Sequence, residues 1–258
     1  MIHALVSGFG FQVRVLRHSF GEMNVLVTAP LTTLVFLAIT RHAGRDDLAP
    51  YAVLAPALIV LWGTALLISG EIVARERESG SLEGLVAAPV SFGAVVTGRI
   101  AAVTVLSLVG FVESWLAAFL VFGVVVTIWH PVAFAAAVVV TALAMAGTAS
   151  IMSAVFVIAR SARAFQNSLN YPFYVLGGVM VPVSLLPGAE LLEPISRVVF
   201  LSWSADLLRD TLNPAPVSDL LLRLGVVLTL GLAGYLLGLV LLRRAVDRLR
   251  RTGTMGYA

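Results

Sequence analysis

Residues 131–159 read PVAFAAAVVVTALAMAGTASIMSAVFVIA, without one Asp, Glu, Lys or Arg. A helix rises 1.5 Å per residue, so this run is long enough to cross the roughly 30 Å of hydrocarbon in a bilayer. The rest of the chain agrees. Of its 258 residues, 59% are hydrophobic and 12% charged, against about 45–50% apolar and about 25% charged in soluble domains. With a mean hydropathy of +0.99, this composition excludes a water-soluble globule, a disordered chain and a nucleic-acid-binding domain. It leaves a polytopic membrane protein.

Six segments read as spans, near residues 24–40, 51–72, 100–127, 131–159, 167–182 and 220–242. The first and fifth are short; the third and fourth are long enough to tilt. Arginines set the orientation, because basic residues collect on the cytoplasmic side. Arg14, Arg17, Arg75, Arg77, Arg99, Arg160, Arg163, Arg243, Arg244, Arg248, Arg250 and Arg251 fall on one side. The other side holds Arg41, Arg45, Arg197, Arg209 and Arg223, diluted by Asp46, Asp47, Glu190, Glu193, Asp206, Asp210 and Asp219. Both termini are therefore expected in the cytoplasm, as an even number of spans requires.

The N-terminal stretch, residues 1–22, does not read as a signal peptide, because Arg14, Arg17 and His18 follow its apolar residues instead of preceding them. Ile2, Leu5, Val6, Phe9, Val13, Leu16 and Phe20 recur at helical spacing. They predict an amphipathic helix in the cytoplasmic interface, its arginines near anionic headgroups. Residues 183–219 are too polar to span and too apolar for a plain linker. Punctuated by Pro182, Pro187 and Pro194, they predict an external cap dipping inward as a short helical hairpin. The expected fold is thus an all-α membrane protein, one transmembrane domain over 1–258: interfacial helix 1–22, five spans within 24–182, cap 183–219, sixth span 220–242 and cytoplasmic tail 243–258.

The chain has no cysteine, which excludes disulfides and thiolate metal sites. All 17 basic residues are arginine. A P-loop needs a lysine for the β/γ-phosphates, so this chain carries no standard Walker A site. His3, His18, His42 and His130 show no metal-ligand spacing.

The most informative loop follows the second span: Glu71-Ile-Val-Ala-Arg75-Glu76-Arg77-Glu78-Ser-Gly80-Ser81-Leu82-Glu83-Gly-Leu85-Val-Ala-Ala-Pro89-Val-Ser-Phe. It is charged and too long for a minimal turn. Leu82, Leu85 and Val86 share a helical face, and Pro89 ends the element. This string resembles the signature of ABC type-2 exporter permeases. Arg160-Ser-Ala-Arg163-Ala-Phe-Gln-Asn167 and Asn170-Tyr-Pro172 resemble the opening of that family's fifth span. Gly177-Gly-Val-Met-Val-Pro182-Val-Ser-Leu-Leu-Pro187 is similar to the motif after it, and Ser202-Trp203 through Leu208-Arg209 to the segment before the last span. The motifs cover most of residues 65–212 in order. The drug- and polysaccharide-export branch, with its daunorubicin-type and Nod-factor-type permeases, is the nearest in flavour.

The resemblance implies a transport subunit in a bacterial plasma (inner) membrane, not an enzyme. It would pair with a second permease copy or a related permease, and with two cytoplasmic ABC ATPase subunits that bind the ATP and Mg. Carried over by position, Glu76, Arg77, Glu78, Gly80, Leu82, Glu83, Leu85 and Pro89 form a coupling helix that docks on the ATPase. The resemblance also implies cargo exported from the cytoplasm or inner leaflet. The mostly apolar spans suit an amphipathic or lipid-linked cargo: a drug, a natural product or a glycan.

Within the spans, a carboxylate costs roughly 2.5–3.5 kcal/mol at mid-bilayer on insertion scales, so Glu113 is expected to face the bundle interior, as a cargo contact or as a packing contact. Tyr171 and Tyr174 are further candidates for the translocation path. Together with Trp62, Trp115, Trp129 and Trp203 they also read as headgroup-level anchors. Gly147, Thr148, Ser150 and Ser153 suit close helix packing. A lipid-modifying membrane enzyme would need clustered acids or histidines, and here only Asp46-Asp47 adjoin. An ion-coupled carrier would need more intramembrane carboxylates than Glu113.

Overall fold

The computed structural model describes residues 2–18, 24–81, 84, 92–158 and 162–252. Regular structure among them is helical throughout, the form in which an apolar segment satisfies its own backbone donors and acceptors away from water. The hub is α3 (Ala49–Glu78). It packs against α2 (Asn24–His42), α4 (Phe92–Ser107), α5 (Val109–Phe122) and α6 (Pro131–Ile158). Val53, Leu58, Leu61, Trp62 and Ala65 are fully buried in it.

Among the described residues, four stretches are long and apolar enough to cross a membrane: Asp46–Leu66, Phe92–Phe122, Pro131–Val155 and Leu220–Ala245. The first and fifth expected spans are not among them. The fifth corresponds to α7 (Ala162–Leu176), fifteen residues long, or about 22 Å at the helical rise.

Three boundaries differ from expectation. The charged run after the second span is not loop at its start, because α3 stays helical to Glu78. The third span runs from Phe92 to Phe122, not from 100 to 127, and Leu108 interrupts it between α4 and α5. Arg99, expected to flank this span, lies inside it. At the other end Gly123 adopts φ 64°, and its N–H reaches the Ala118 and Phe119 carbonyls, a left-handed helix cap. The fifth helix stops at Leu176, not at residue 182, and turns at Gly177–Gly178.

The N-terminal helix α1 (Ile2–His18) lies along α4. Its buried face is Ala4, Gly8 and Gln12, while Ile2, Leu5, Val6 and Phe11 stay exposed. A Cβ on Gly8 would run into the Val95 backbone, and one on Gly98 into the Leu5 backbone. Hydrophobic periodicity could not find this face, since its residues are small or polar.

The most extensive helix pair is α6 with α10 (Leu220–Thr252). It closes on small residues: a Cβ on Gly231 would collide with Ala144, and one on Gly147 with the Gly231 carbonyl. Between α7 and α10 lie α8 (Ala189–Ser196) and α9 (Phe200–Thr211). Leu201, Ala205, Leu207 and Leu208 of α9 are buried in the main core with Trp62 and Met145. This segment is therefore partly interior.

Outward, α2 presents Val27, Leu31, Val35 and Ile39, and α10 presents Leu228, Leu232 and Leu236, all exposed. Residues four apart form one continuous stripe. Soluble monomers rarely expose contiguous apolar patches beyond a few hundred Å², so these faces suit lipid or another chain.

Candidate functional site

At one end of the bundle, α3 finishes in a turn at Ser79–Gly80, where Gly80 adopts φ 69°. That left-handed conformation is open to glycine without a Cβ penalty. The Ser79 hydroxyl donates to the Glu76 carbonyl at 3.2 Å and lies 2.8 Å from the Ser81 hydroxyl. Ser81 in turn donates to the Glu76 carboxylate. The turn is thus tied to the last helical residues by side-chain bonds.

The carboxylate of Glu76 also pairs with Arg99 of α4. Arg99 donates through Nε to Gln12 Oε1 of α1 at 2.8 Å and lies 5.0 Å over the Phe11 ring. The side chain of Arg99 is 6% exposed and that of Glu76 13%. The cost of burying this guanidinium is offset by its partners, Gln12 at Nε and Glu76 at Nη1.

Of the residues expected at the ATPase interface, Glu76 is turned toward the protein interior and Gly80 is exposed in the turn. Arg77 and Glu78 lie in the last turn of α3, but their side chains fall outside the described residues, as do Leu82, Glu83, Leu85 and Pro89.

The spans place the other candidates apart, on helices that do not pack extensively together. Glu113, on α5, is half-buried, and its Oε2 is buried without a partner among the described residues. Next to it in sequence, Ser114 and Trp115 each bury a polar atom in the same state. An apolar groove of about 550 Å³ on this helix is lined by Phe111, Trp115, Leu116, Phe119 and Phe134, among others. On α7, Tyr174 is buried, its hydroxyl donating to the Ile59 carbonyl at 3.4 Å, whereas Tyr171 is exposed. Their rings meet edge to face at 6.4 Å.

Not all the aromatic residues act as headgroup anchors. Trp62 is fully buried, stacked on Phe173 at 4.7 Å, and its Nε1 donates to Asn170 Oδ1 at 3.2 Å. Asn170 belongs to the Asn-Tyr-Pro motif, which here docks α7 onto α3. Trp129, by contrast, is exposed beyond the end of α5.

At the opposite end of the bundle, α9 supplies Arg209, whose side chain is 6% exposed. It donates to the carbonyls of Gly178 and Val179 (2.9 Å to the second), just past the end of α7, and to Asp206 at 3.3 Å. Burial lowers its pKa from the ordinary arginine value, while the neighbouring Asp206 opposes that shift. Arg197 joins Asp206 at 3.1 Å, and Arg223 joins Asp210 at 2.5 Å. These groups line an open cavity of about 670 Å³ with Tyr51 and Trp203. Among the described residues, no three His, Asp or Glu side chains converge as a metal site would require.

Sequence reasoning singled out the motifs that hold Glu76 and Asn170 but did not pair them with the partners the structure brings to them. A lone arginine inside an apolar run, as at Arg99, was the available signal for the first.

Long apolar helices, lipid-compatible outer faces and polar groups paired inside the bundle define a multi-pass helical membrane protein. Residues 11–213 match the ABC-2 type transporter family, and the chain belongs to it. Nodulation protein J of Rhizobium meliloti (strain 1021) is 30% identical over 173 residues, which is 66% of this chain and 64% of that relative. The match thus spans less than two thirds of the relative's own length.

Proposed function

We propose that this chain is the membrane-spanning permease subunit of an ATP-driven exporter, carrying an amphipathic or lipid-linked cargo out of the cytoplasm or the inner leaflet. Membership of the ABC-2 type transporter family over residues 11–213 carries this reading. The subunit works in a pair, with a second copy or a related permease, and receives its energy from two cytoplasmic ABC ATPase chains that bind ATP and Mg. The absence of any lysine supports that division of labour, because a standard nucleotide loop cannot be built from this sequence. With α2 and α7 counted, the chain makes six passes of a bacterial inner membrane, both termini inside. The turn after α3 and residues 82–89 form the surface that meets the ATPase. Similarity to a nodulation protein keeps the Nod-factor-type branch, and hence a lipid-linked or glycan cargo, in view.

The test is reconstitution of the permease in lipid vesicles with the ABC ATPase that co-purifies with it, followed by transport of candidate lipid-linked and amphipathic compounds. ATP-dependent movement that stops in an ATPase-dead complex is expected. Movement by the permease alone, without ATP, refutes the reading.

Glu113, Tyr171 and Tyr174 are the candidate cargo contacts. Glu113→Gln is expected to slow transport roughly fivefold, the kinetic equivalent of about 1 kcal/mol, with ATPase binding unchanged. Transport at the parental rate would return Glu113 to a packing role.

A further inference from the structure

We propose that Arg99 is a positioning residue of the transport cycle. By holding Glu76 and Gln12 at once, it makes the turn after α3, the start of the third span and the N-terminal helix move as one body. The proposal rests on the permease reading above, since it concerns how a push from an ATPase is passed on.

Three observations converge. First, the guanidinium joins three elements separated in sequence: α4 carries it, the end of α3 gives the carboxylate of Glu76, and α1 gives the amide of Gln12 and the ring of Phe11. Second, the free end of the network is the turn itself. Ser81 donates to the same carboxylate, and Ser79 binds both Ser81 and the Glu76 backbone. Displacing the turn therefore displaces the carboxylate, and with it Arg99. Third, α1 and α4 meet backbone to backbone beside Arg99, where Gly98 leaves no room for a Cβ against Leu5. These two helices cannot slide independently without losing that fit.

A buried ion pair adds little net stability compared with apolar packing of the same volume, but it fixes geometry. Arginine suits the task because its planar fork can serve two acceptors from different helices, where a lysine ammonium acts as a point charge.

The experiment uses the full permease–ATPase complex in lipid vesicles and measures cargo moved per ATP hydrolysed. The unmodified complex comes first: if it shows no ATP-dependent transport, the permease reading fails, whatever Arg99 does. Given a working complex, Arg99→Gln should leave ATPase co-purification and hydrolysis within about twofold while cargo moved per ATP falls about tenfold, and Glu76→Gln should lower the same ratio. The exchanged pair, Glu76→Arg with Arg99→Glu, should recover most of the loss, because the Gln12 amide can donate as well as accept. Arg99→Lys should recover only part. The proposal is overturned if the single variants keep the parental ratio. It is equally overturned if transport and hydrolysis fall in proportion, or if the exchanged pair is no better than either single variant.

Discussion

Replacing Arg209 by alanine is expected to destabilise the protein by about 2–6 kcal/mol, roughly 1–3 kcal/mol for each of two main-chain carbonyls left without a partner. The guanidinium serves the carbonyls of Gly178 and Val179, where the chain leaves α7. Gly178 is already turned to φ 56° there, so no backbone N–H of a continuing helix takes over those acceptors. Asp206 keeps Arg197 as a partner, and most of the loss therefore falls on the two carbonyls. Thermal unfolding of the purified protein in detergent is the measurement. Arg45→Ala is the control, because that arginine meets Asp47 on the surface, with both side chains more than half exposed, and exposed pairs contribute little. Equal melting of the two variants would mean that Arg209 does not hold this break.

The second large effect is steric. Gly231→Leu is expected to cost about 3 kcal/mol or more, at or above the usual 1–3 kcal/mol for overpacking. A flexible side chain can yield to an added methyl group, but here the obstacle includes the backbone of Ala144. The α6–α10 pair would have to separate along its length. Reduced recovery of monodisperse protein and a lowered melting temperature would report the change. Gly225, on the same helix, has open space around it. Gly225→Leu should therefore be neutral or mildly stabilising, since glycine is about 1 kcal/mol poorer than alanine in a helix interior. If both variants fell alike, the helices would not cross where Gly231 lies.

The helical class and the four long apolar stretches were legible in the sequence because hydrophobicity over twenty residues is a strong signal. Boundaries were less legible, for identifiable reasons. Arg99 read as a cytoplasmic flank and Glu76 as a residue docking on a partner chain, because a pair separated by a chain reversal leaves no local trace. The face by which α1 grips α4 is made of Ala4, Gly8 and Gln12, the residues an apolar moment discounts. Trp62 read as a headgroup anchor by residue type, and only its stacking on Phe173 and its bond to Asn170 place it in the core. Arg209 sat in a recognised motif, yet its acceptors are main-chain carbonyls about thirty residues away, and main-chain groups carry no sequence signature.

Leu108 divides the third span, and the two halves have different anchors. The lower half, α4, is riveted to α1, whereas the upper half, α5, leans on α2, with Arg41 at the tip of α2 bonded to the Phe122 carbonyl at 2.7 Å. At the joint, the Leu108 N–H reaches Val105 at 3.3 Å and the Leu108 carbonyl receives Phe111, so tighter turns interrupt the regular ladder there. A split strut bends at its knuckle before it carries thrust end to end. The neighbouring α3 stays helical through all thirty residues, Pro56 included, so it is the less interrupted of the two struts.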